Sequence, residues 1–240
     1  MYRLHIGNKN YSSWSLRPWI LMRELAIPFE ERVTPFEDGS SWESFRRFSP
    51  TGRVPCLHDG DTVVWDSLAI AEYLADRHAG VWPGAAQARA WARCAAAEMH
   101  SGFAALRAKC GMNCGLRVRL DTVAPELRRD IDRIGELWTE GLARFGGPFL
   151  AGPAFTAVDA FFAPVVLRVQ TYGLDLPPRA AAYAQLMLQQ PALRAWQADA
   201  LAEPWRDPAH EAEVLASGQV LADLRSPQPA VRSVATQAAR

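Results

Sequence analysis

The chain has 240 residues, 26 basic and 26 acidic side chains and 49% hydrophobic residues. This length suffices for one large or two modest domains with cores of their own. The balanced charge provides no basic surface for a nucleic acid, and no uninterrupted apolar run approaches the roughly 18 residues that a membrane span needs. Because the N-terminal residues also lack an apolar signal core, we expect a cytoplasmic protein without nucleic-acid or membrane partners.

Four cysteines and five histidines are scattered along the chain. Cys110 and Cys114 have a C-x3-C spacing that matches metal-binding motifs only weakly, and no cluster of histidines follows them. The cysteines are also too few and too irregular for a disulfide framework in a chain of this size. We therefore expect free thiols and no metal site.

The first third of the chain predicts a small α/β domain. Alternating apolar residues at 2–6 predict a strand, and apolar residues at helical spacing predict a helix that begins between residues 15 and 17. A second strand is expected at 29–33, which makes a strand-helix-strand unit with parallel pairing. A short helix at 41–48 follows.

The stretch 51–77 carries three further signals. Val54-Pro55 opens a short apolar segment, where a proline fits only at a strand start or edge, so Pro55 is a candidate for a cis bond. An Asp-Gly pair at 59–60 stands between two runs of strand formers and predicts a tight hairpin. Asp66 or Ser67 is expected to cap the next helix, whose N-terminus is suited to holding a carboxylate.

This order, βαβαββα with a Val-Pro strand start and an acid-Ser pair, resembles the thioredoxin-like, glutathione-binding domain of glutathione transferases. Ser12, Ser13 and Ser15 crowd the entrance of the first helix. One of them is expected to cap the helix, and a second can donate a hydrogen bond to a thiolate that a ligand brings. Such a bond contributes about 1.5 to 3 kcal/mol, or roughly one to two pKa units. No C-x-x-C motif stands there, which excludes direct dithiol exchange.

The segment SSWSLR looks like the SSCSWR entrance of the zeta-class glutathione transferases. The resemblance makes Ser12 the catalytic hydrogen-bond donor to the glutathione thiolate, with Ser13 as the second choice and Ser15 as the cap. Trp14 replaces the cysteine of the zeta pattern, which weighs against the isomerase chemistry of that class.

The same resemblance implies a set of glutathione-binding residues. The backbone of Val54, ahead of Pro55, would bind the cysteinyl part, and Asp66 and Ser67 would bind the γ-glutamyl amine and carboxylate. Asp66 stands where the family has Gln or Glu, so only the reach differs from Glu. Arg53 is our candidate for the glycyl carboxylate, although the sequence leaves its neighbours Arg46 and Arg47 as alternatives.

The second part of the chain predicts an all-α domain. A linker at 80–87 precedes it, no convincing strand follows, and helices are expected near residues 88–109, 125–145, 158–172, 179–188 and 192–201. Thr156 and Asp159 form a capping signal at the head of a very apolar helix that should lie at the centre of a bundle. We expect domains at 1–79 and 88–205, and an extension at 206–240 that is flexible from Ser226 onward.

A cleft between the two domains would be the place for a ligand. Met99 and Phe103 could line it or belong to the core, and Trp14 is the better candidate for a lining residue. The resemblance thus implies a glutathione transferase that directs the thiolate of glutathione, its co-substrate, at an apolar electrophile, and, as is usual in that family, a homodimer with a role in detoxification. A glutathione-dependent cis-trans isomerase of the zeta kind and a non-catalytic interaction protein remain as alternatives.

Overall fold

The computed structural model describes residues 1–225, so the tail that was predicted to be flexible from Ser226 lies outside the described residues. The N-terminal part has the predicted order βαβαββα. Its elements are β1 (Tyr2–Ile6), α1 (Ser13–Glu24), β2 (Phe29–Val33), α2 (Trp42–Arg46), β3 (Cys56–Asp59), β4 (Thr62–Trp65) and α3 (Ser67–Ala75). The sheet order is β2-β1-β3-β4, with β1 parallel to β2 and antiparallel to β3. This is the thioredoxin-like arrangement expected from the sequence.

Helix α1 begins at Ser13, two residues before the predicted start, and Ser12 is its N-cap residue. Pro18 therefore lies inside the helix rather than in its first turn. A proline there removes one backbone hydrogen bond. The fully buried Leu16 and Ile20 hold this part of the helix against the core.

The hairpin and the helix cap of residues 54–68 follow the predictions. The Val54–Pro55 peptide bond is cis, and Gly60 has the positive φ of +58° that the tight turn requires. Asp66 is the N-cap of α3, where its carboxylate accepts a hydrogen bond of 2.8 Å from the Leu68 amide.

The second part of the chain is mainly helical. Its helices are α4 (Ala86–Ser101), α5 (Ala104–Lys109), α6 (Pro125–Phe145), α7 (Ala157–Tyr172), α8 (Pro178–Leu188), α9 (Pro191–Ala202) and α10 (Pro208–Leu215). Helix α7 carries the predicted capping box of Thr156 and Asp159. It packs against α1, α4 and α8 and is buried over most of its length, as its apolar sequence predicts. Among the described residues, no helix is long and apolar enough to cross a membrane.

Two predictions for this part were wrong. A strand pair, β5 (Leu116–Leu120) with β6 (Gly218–Asp223), is present where no strand was expected. The alternation of β5 covers only five residues, and its partner follows after five further helices, so neither segment stands out by itself. The single helix expected at 88–109 is divided at Gly102 and Phe103, the latter with φ of +57°.

Candidate functional site

The loop between β1 and α1, which carries Ser12, is fixed by the helical part of the molecule. Glu203 accepts hydrogen bonds from the Lys9 amide at 2.6 Å and the Asn10 amide at 3.1 Å. The Trp196 indole donates to the Lys9 carbonyl at 2.9 Å. Because these backbone groups are satisfied across the two parts, the position of the serines depends on both.

The C-terminal extension also holds this loop. The Tyr11 hydroxyl donates a 2.6 Å hydrogen bond to Glu211 of α10. The buried guanidinium of Arg225 pairs with the same carboxylate, with 2.9 Å between Arg225 Nη2 and Glu211 Oε2. The His210 ring stacks on the Tyr11 ring with 5.2 Å between centroids. Residues 206–225, whose sequence pattern fades after Trp205, therefore belong to the surroundings of the site.

The three serines at the start of α1 have different hydrogen-bond partners. Ser12 donates from Oγ to Ser15 Oγ at 2.7 Å, and Ser15 Oγ also accepts the Gly7 amide at 3.2 Å. Ser15 is completely buried, whereas Ser12 and Ser13 each reach a cavity. Within residues 1–225 the Ser13 side chain makes no hydrogen bond. Ser15, which was expected to be the cap, instead supports Ser12.

Ser12 and Ser13 open into a cavity of about 520 Å³, which we call the serine cavity. Its walls come from the start of α1, from the segments around Phe36 and Val54, from the helical part and from α10. Among its lining residues are Ser12, Ser13, Trp14, Arg107, Met112 and Arg168. The cleft predicted between the two parts of the chain is thus present, and its floor contains both hydroxyl groups and cations.

A second cavity of about 480 Å³, the Asp66 cavity, contains all five residues predicted to bind glutathione. Trp14 and Trp42 line both cavities, so the two adjoin each other, and we call them together the groove. The predicted residues in the Asp66 cavity are Arg53, Val54, Pro55, Asp66 and Ser67. Arg53 lines both cavities, whereas Arg46 and Arg47 line neither of them.

The acid-Ser pair at the head of α3 is contacted by two basic residues. The Asp66 carboxylate lies 3.4 Å from His100 Nε2, and the Ser67 hydroxyl accepts a hydrogen bond of 3.3 Å from Arg17. Burial lowers the pKa of His100, while the charge of Asp66 opposes that change. Asp66 is 45% exposed, so its carboxylate can still meet a positively charged ligand.

Arg17 is a charged residue of the site that has almost no contact with solvent. Its guanidinium lies 4.1 Å from the centroid of the Trp14 ring and 4.8 Å from that of Phe161, and its Nε has no hydrogen-bond partner. Burial lowers the pKa of Arg17 well below its ordinary value, and the positive charges of Arg107 and Arg168 act in the same direction. The start of α1 therefore holds, next to the serines, a buried cation that forms no ion pair within residues 1–225, although the charge of Asp66 opposes the lowering of its pKa.

Sequence reasoning missed the four basic residues Arg17, His100, Arg107 and Arg168. A signal existed for Arg168, because it is the single charge in the apolar body of the helix that was predicted to be buried. Arg107 and His100 gave none, since they meet Trp14 only because the chain turns between α4 and α5.

Met99 and Phe103, the two open candidates for the cleft, are buried in the core. The four cysteines are free thiols, as expected. Burial raises the pKa of Cys56 to about 11 and those of Cys110 and Cys114 to about 12. Those three thiols are therefore protonated at neutral pH and are not nucleophiles.

Models of two protein domain families match the chain. The glutathione S-transferase N-terminal domain matches residues 11–77, and the glutathione S-transferase C-terminal domain matches residues 119–198. The first match contains the serines and the acid-Ser pair, and the second contains α7 and its capping box.

Proteins of known name are also similar to this chain in sequence. Glutathione S-transferase GstB of Escherichia coli K12 is 26% identical over 207 residues, which cover 79% of this chain and 95% of that protein. Dichloromethane dehalogenase of Methylorubrum extorquens is 43% identical over 67 residues, or 26% of this chain; that match spans only 23% of the dehalogenase.

Solved structures share the fold. A glutathione transferase homolog from Burkholderia gl BGR1 with bound glutathione has a TM-score of 0.63 at 21% identity, covering 83% of this chain and 97% of that one. The theta-class enzyme of Xanthomonas axonopodis pv. citri, also with glutathione bound, has a TM-score of 0.60 at 22% identity, covering 81% and 95%. The two domain matches together span more than half of the chain and show that it belongs to the glutathione S-transferase family.

Proposed function

We propose that this protein is a serine-type glutathione transferase, which stabilises the thiolate of glutathione and directs it at an electrophile in the serine cavity. One observation carries the proposal. Two adjoining cavities place the head of α3, with Asp66 and Ser67, next to the two serines at the head of α1. Glutathione is the co-substrate, as in the two related structures that contain it.

The Asp66 cavity suits the γ-glutamyl end of glutathione. Asp66 offers a half-exposed carboxylate for the ammonium group, and the N-terminus of α3 favours a carboxylate next to Ser67. Arg17, which already donates to Ser67, adds a positive charge behind that hydroxyl. Arg53 lies between the two cavities, where it can meet the glycyl carboxylate.

The thiol of glutathione would then lie at the serines. Ser12 donates to Ser15, and its hydroxyl can turn toward a sulfur atom because a hydroxyl hydrogen rotates freely. Ser15, which is fixed by the Gly7 amide, can in turn donate to Ser12. Ser13 offers a second hydroxyl that no other group occupies within residues 1–225. A hydrogen bond to the thiolate favours ionisation of the thiol and so increases the nucleophile at neutral pH.

The electrophile would lie in the serine cavity, with its apolar body against Trp14 and Met112. We further propose a cytoplasmic homodimer with a role in detoxification, as the resemblance to the family implies. Sedimentation of the purified protein tests the dimer directly.

Calorimetric titration with glutathione tests the central proposal. The parent protein should bind glutathione, and Asp66→Ala and Ser67→Ala should each weaken binding by roughly tenfold, since a hydrogen bond to a charged group contributes about 1.5 to 3 kcal/mol. Asp61→Ala, an exposed change in the hairpin turn, is the matched control. If the parent protein does not bind glutathione, or if the control weakens binding as much, the proposal fails.

A further inference from the structure

Two arginines of the helical part line the serine cavity, where the proposed function places the thiol of glutathione. Arg107 lies on α5 and is partly buried, and Arg168 lies on α7 and is 4% exposed. Neither forms an ion pair with a carboxylate of residues 1–225. The cavity that should receive the electrophile is therefore positively charged on one side.

Backbone carbonyl groups orient both side chains. Arg168 donates from Nε to the Cys110 carbonyl at 2.7 Å and from Nη1 to the Pro164 carbonyl at 3.2 Å. Arg107 donates from Nε to the Gly102 carbonyl at 2.9 Å. Carbonyl oxygens fix the direction of a guanidinium but do not neutralise its charge, so the two cations remain without a counter-ion.

Other charges close to the cavity do not balance these arginines. Arg17 adds a third buried cation, and burial, followed by the positive charge of Arg107, lowers the pKa values of both Arg17 and Arg168. Glu213 of α10 also lines the cavity, but its side chain is exposed and forms no ion pair within residues 1–225. Burying cations without a partner costs free energy, and an anion bound in the cavity would recover part of that cost.

We propose that the second substrate carries a carboxylate group that pairs with Arg107 and Arg168, while its apolar, electrophilic body lies on Trp14. This inference rests on the proposed transferase function and narrows its substrate class to organic anions. In the proposed pose, Ser67 holds the γ-glutamyl carboxylate of glutathione in the Asp66 cavity and Arg53, which lines both cavities, holds the glycyl carboxylate, so Arg107 and Arg168 are left for the second substrate.

Two matched electrophiles test the proposal. In 4-chloro-3,5-dinitrobenzoate and its carboxamide, the glutathione sulfur forms a bond to the ring carbon and chloride leaves with the bonding electrons. We expect kcat/KM, divided by the uncatalysed rate constant, to be roughly tenfold higher for the carboxylate, as for a charge-assisted hydrogen bond. The preference should decrease as the salt concentration rises.

Substitutions of Arg107 test whether this residue causes the preference for the carboxylate substrate. Arg107→Met should reduce the ratio between the two substrates toward one, and Arg107→Lys should keep most of it because the charge remains. Arg128→Met removes an exposed arginine of α6 and the same amount of charge, so it should keep the ratio of the parent. Circular dichroism and the unfolding midpoint identify any variant that has lost its fold. If Arg107→Met is such a variant, the substrate ratio of Arg107→Lys decides whether the charge causes the preference.

Binding of the unreactive 3,5-dinitrobenzoate in the absence of glutathione separates this inference from the proposed function. Binding that Arg107→Met weakens, in a protein that conjugates neither electrophile, would support the anion site and refute the transferase. Conjugation of both electrophiles with equal efficiency would refute the anion site and leave the transferase. The anion site is also refuted if Arg107→Met weakens glutathione binding and leaves the carboxylate preference unchanged.

Discussion

The head of α7 and the first turn of α1 each bury a charged side chain, and the two differ in how well that side chain is satisfied. Asp159 at the head of α7 is completely buried and accepts three hydrogen bonds of 3.0 Å from the Leu150 amide, the Thr156 amide and the Tyr183 hydroxyl. Arg17 in α1 is equally buried, but it makes a single side-chain hydrogen bond of 3.3 Å and its Nε has no partner.

This difference separates a structural charge from one that is available to a ligand. The donors around Asp159 come from three segments, so the carboxylate holds those segments together. A fourth hydrogen bond of 3.4 Å from the Thr156 hydroxyl leaves no lone pair for an outside group. The guanidinium of Arg17 lies between aromatic rings next to the groove, with donor capacity to spare. We infer that folding depends on Asp159 and that binding depends on Arg17.

Replacing Asp159 should have the largest effect on stability. Asp159→Ala leaves buried amide and hydroxyl donors without an acceptor, and the free energy of unfolding should fall by about 3 kcal/mol or more. Chemical denaturation measures it, with Asp132→Ala on the exposed face of α6 as the control. A loss below about 1 kcal/mol would mean that the buried carboxylate is not structural.

Ser12→Ala, at the N-cap of the helix that carries Arg17, should reduce the rate of the reaction without reducing the stability of the protein. We expect kcat with glutathione and a reactive aryl halide to fall roughly ten- to hundredfold, because a hydrogen bond to the thiolate contributes about 1.5 to 3 kcal/mol. Glutathione affinity should change much less. Ser13→Ala is the matched comparison. A larger loss of turnover in that variant would show that Ser13, and not Ser12, donates the hydrogen bond to the thiolate.

Arg17→Met should weaken binding without weakening the fold. Removing a buried, poorly paired charge offsets the packing that is lost, so the free energy of unfolding should change by less than about 1 kcal/mol. Glutathione affinity should fall roughly tenfold, because Ser67 loses the cation behind it. If Arg17→Met destabilises the protein as much as Asp159→Ala, the distinction between the two buried charges is wrong.

Replacing His5 on β1 should have the smallest effect on stability, and this effect should be seen only at acidic pH. Burial, assisted by the nearby His58, lowers the pKa of His5 from 6.5 to about 4, and its Nε2 has no partner. The unfolded chain therefore takes up a proton at a higher pH than the folded one, and stability decreases as the pH falls from 6.5 to 4. His5→Phe should lose less stability than the parent over this interval, and equal losses in the two proteins would exclude His5 as the cause.

Features fixed by near neighbours in the chain could be predicted, and those fixed by distant pairing could not. The Asp-Gly turn, the cap at Asp66 and the capping box of α7 each depend on a few adjacent residues. Strand β5 forms because β6 reaches it from the far end of the described chain, and Arg107 meets Trp14 because α4 ends at Ser101 and the chain turns into α5. The sequence could therefore indicate the serines and the acid-Ser pair, but not the cationic side of the cavity.

The hydrogen bond between Tyr11 and Glu211 has a consequence for the newly made chain. It joins residues that are 200 positions apart, so the β1-α1 loop is synthesised long before its partner. During synthesis, residues 1–205 therefore leave the ribosome before α10, and one side of the serine cavity is then open to water. We expect nascent chains that end before α10 to bind glutathione but to turn over electrophiles slowly. The enzyme would therefore become fully active only when residues 206–225 pack against the β1-α1 loop.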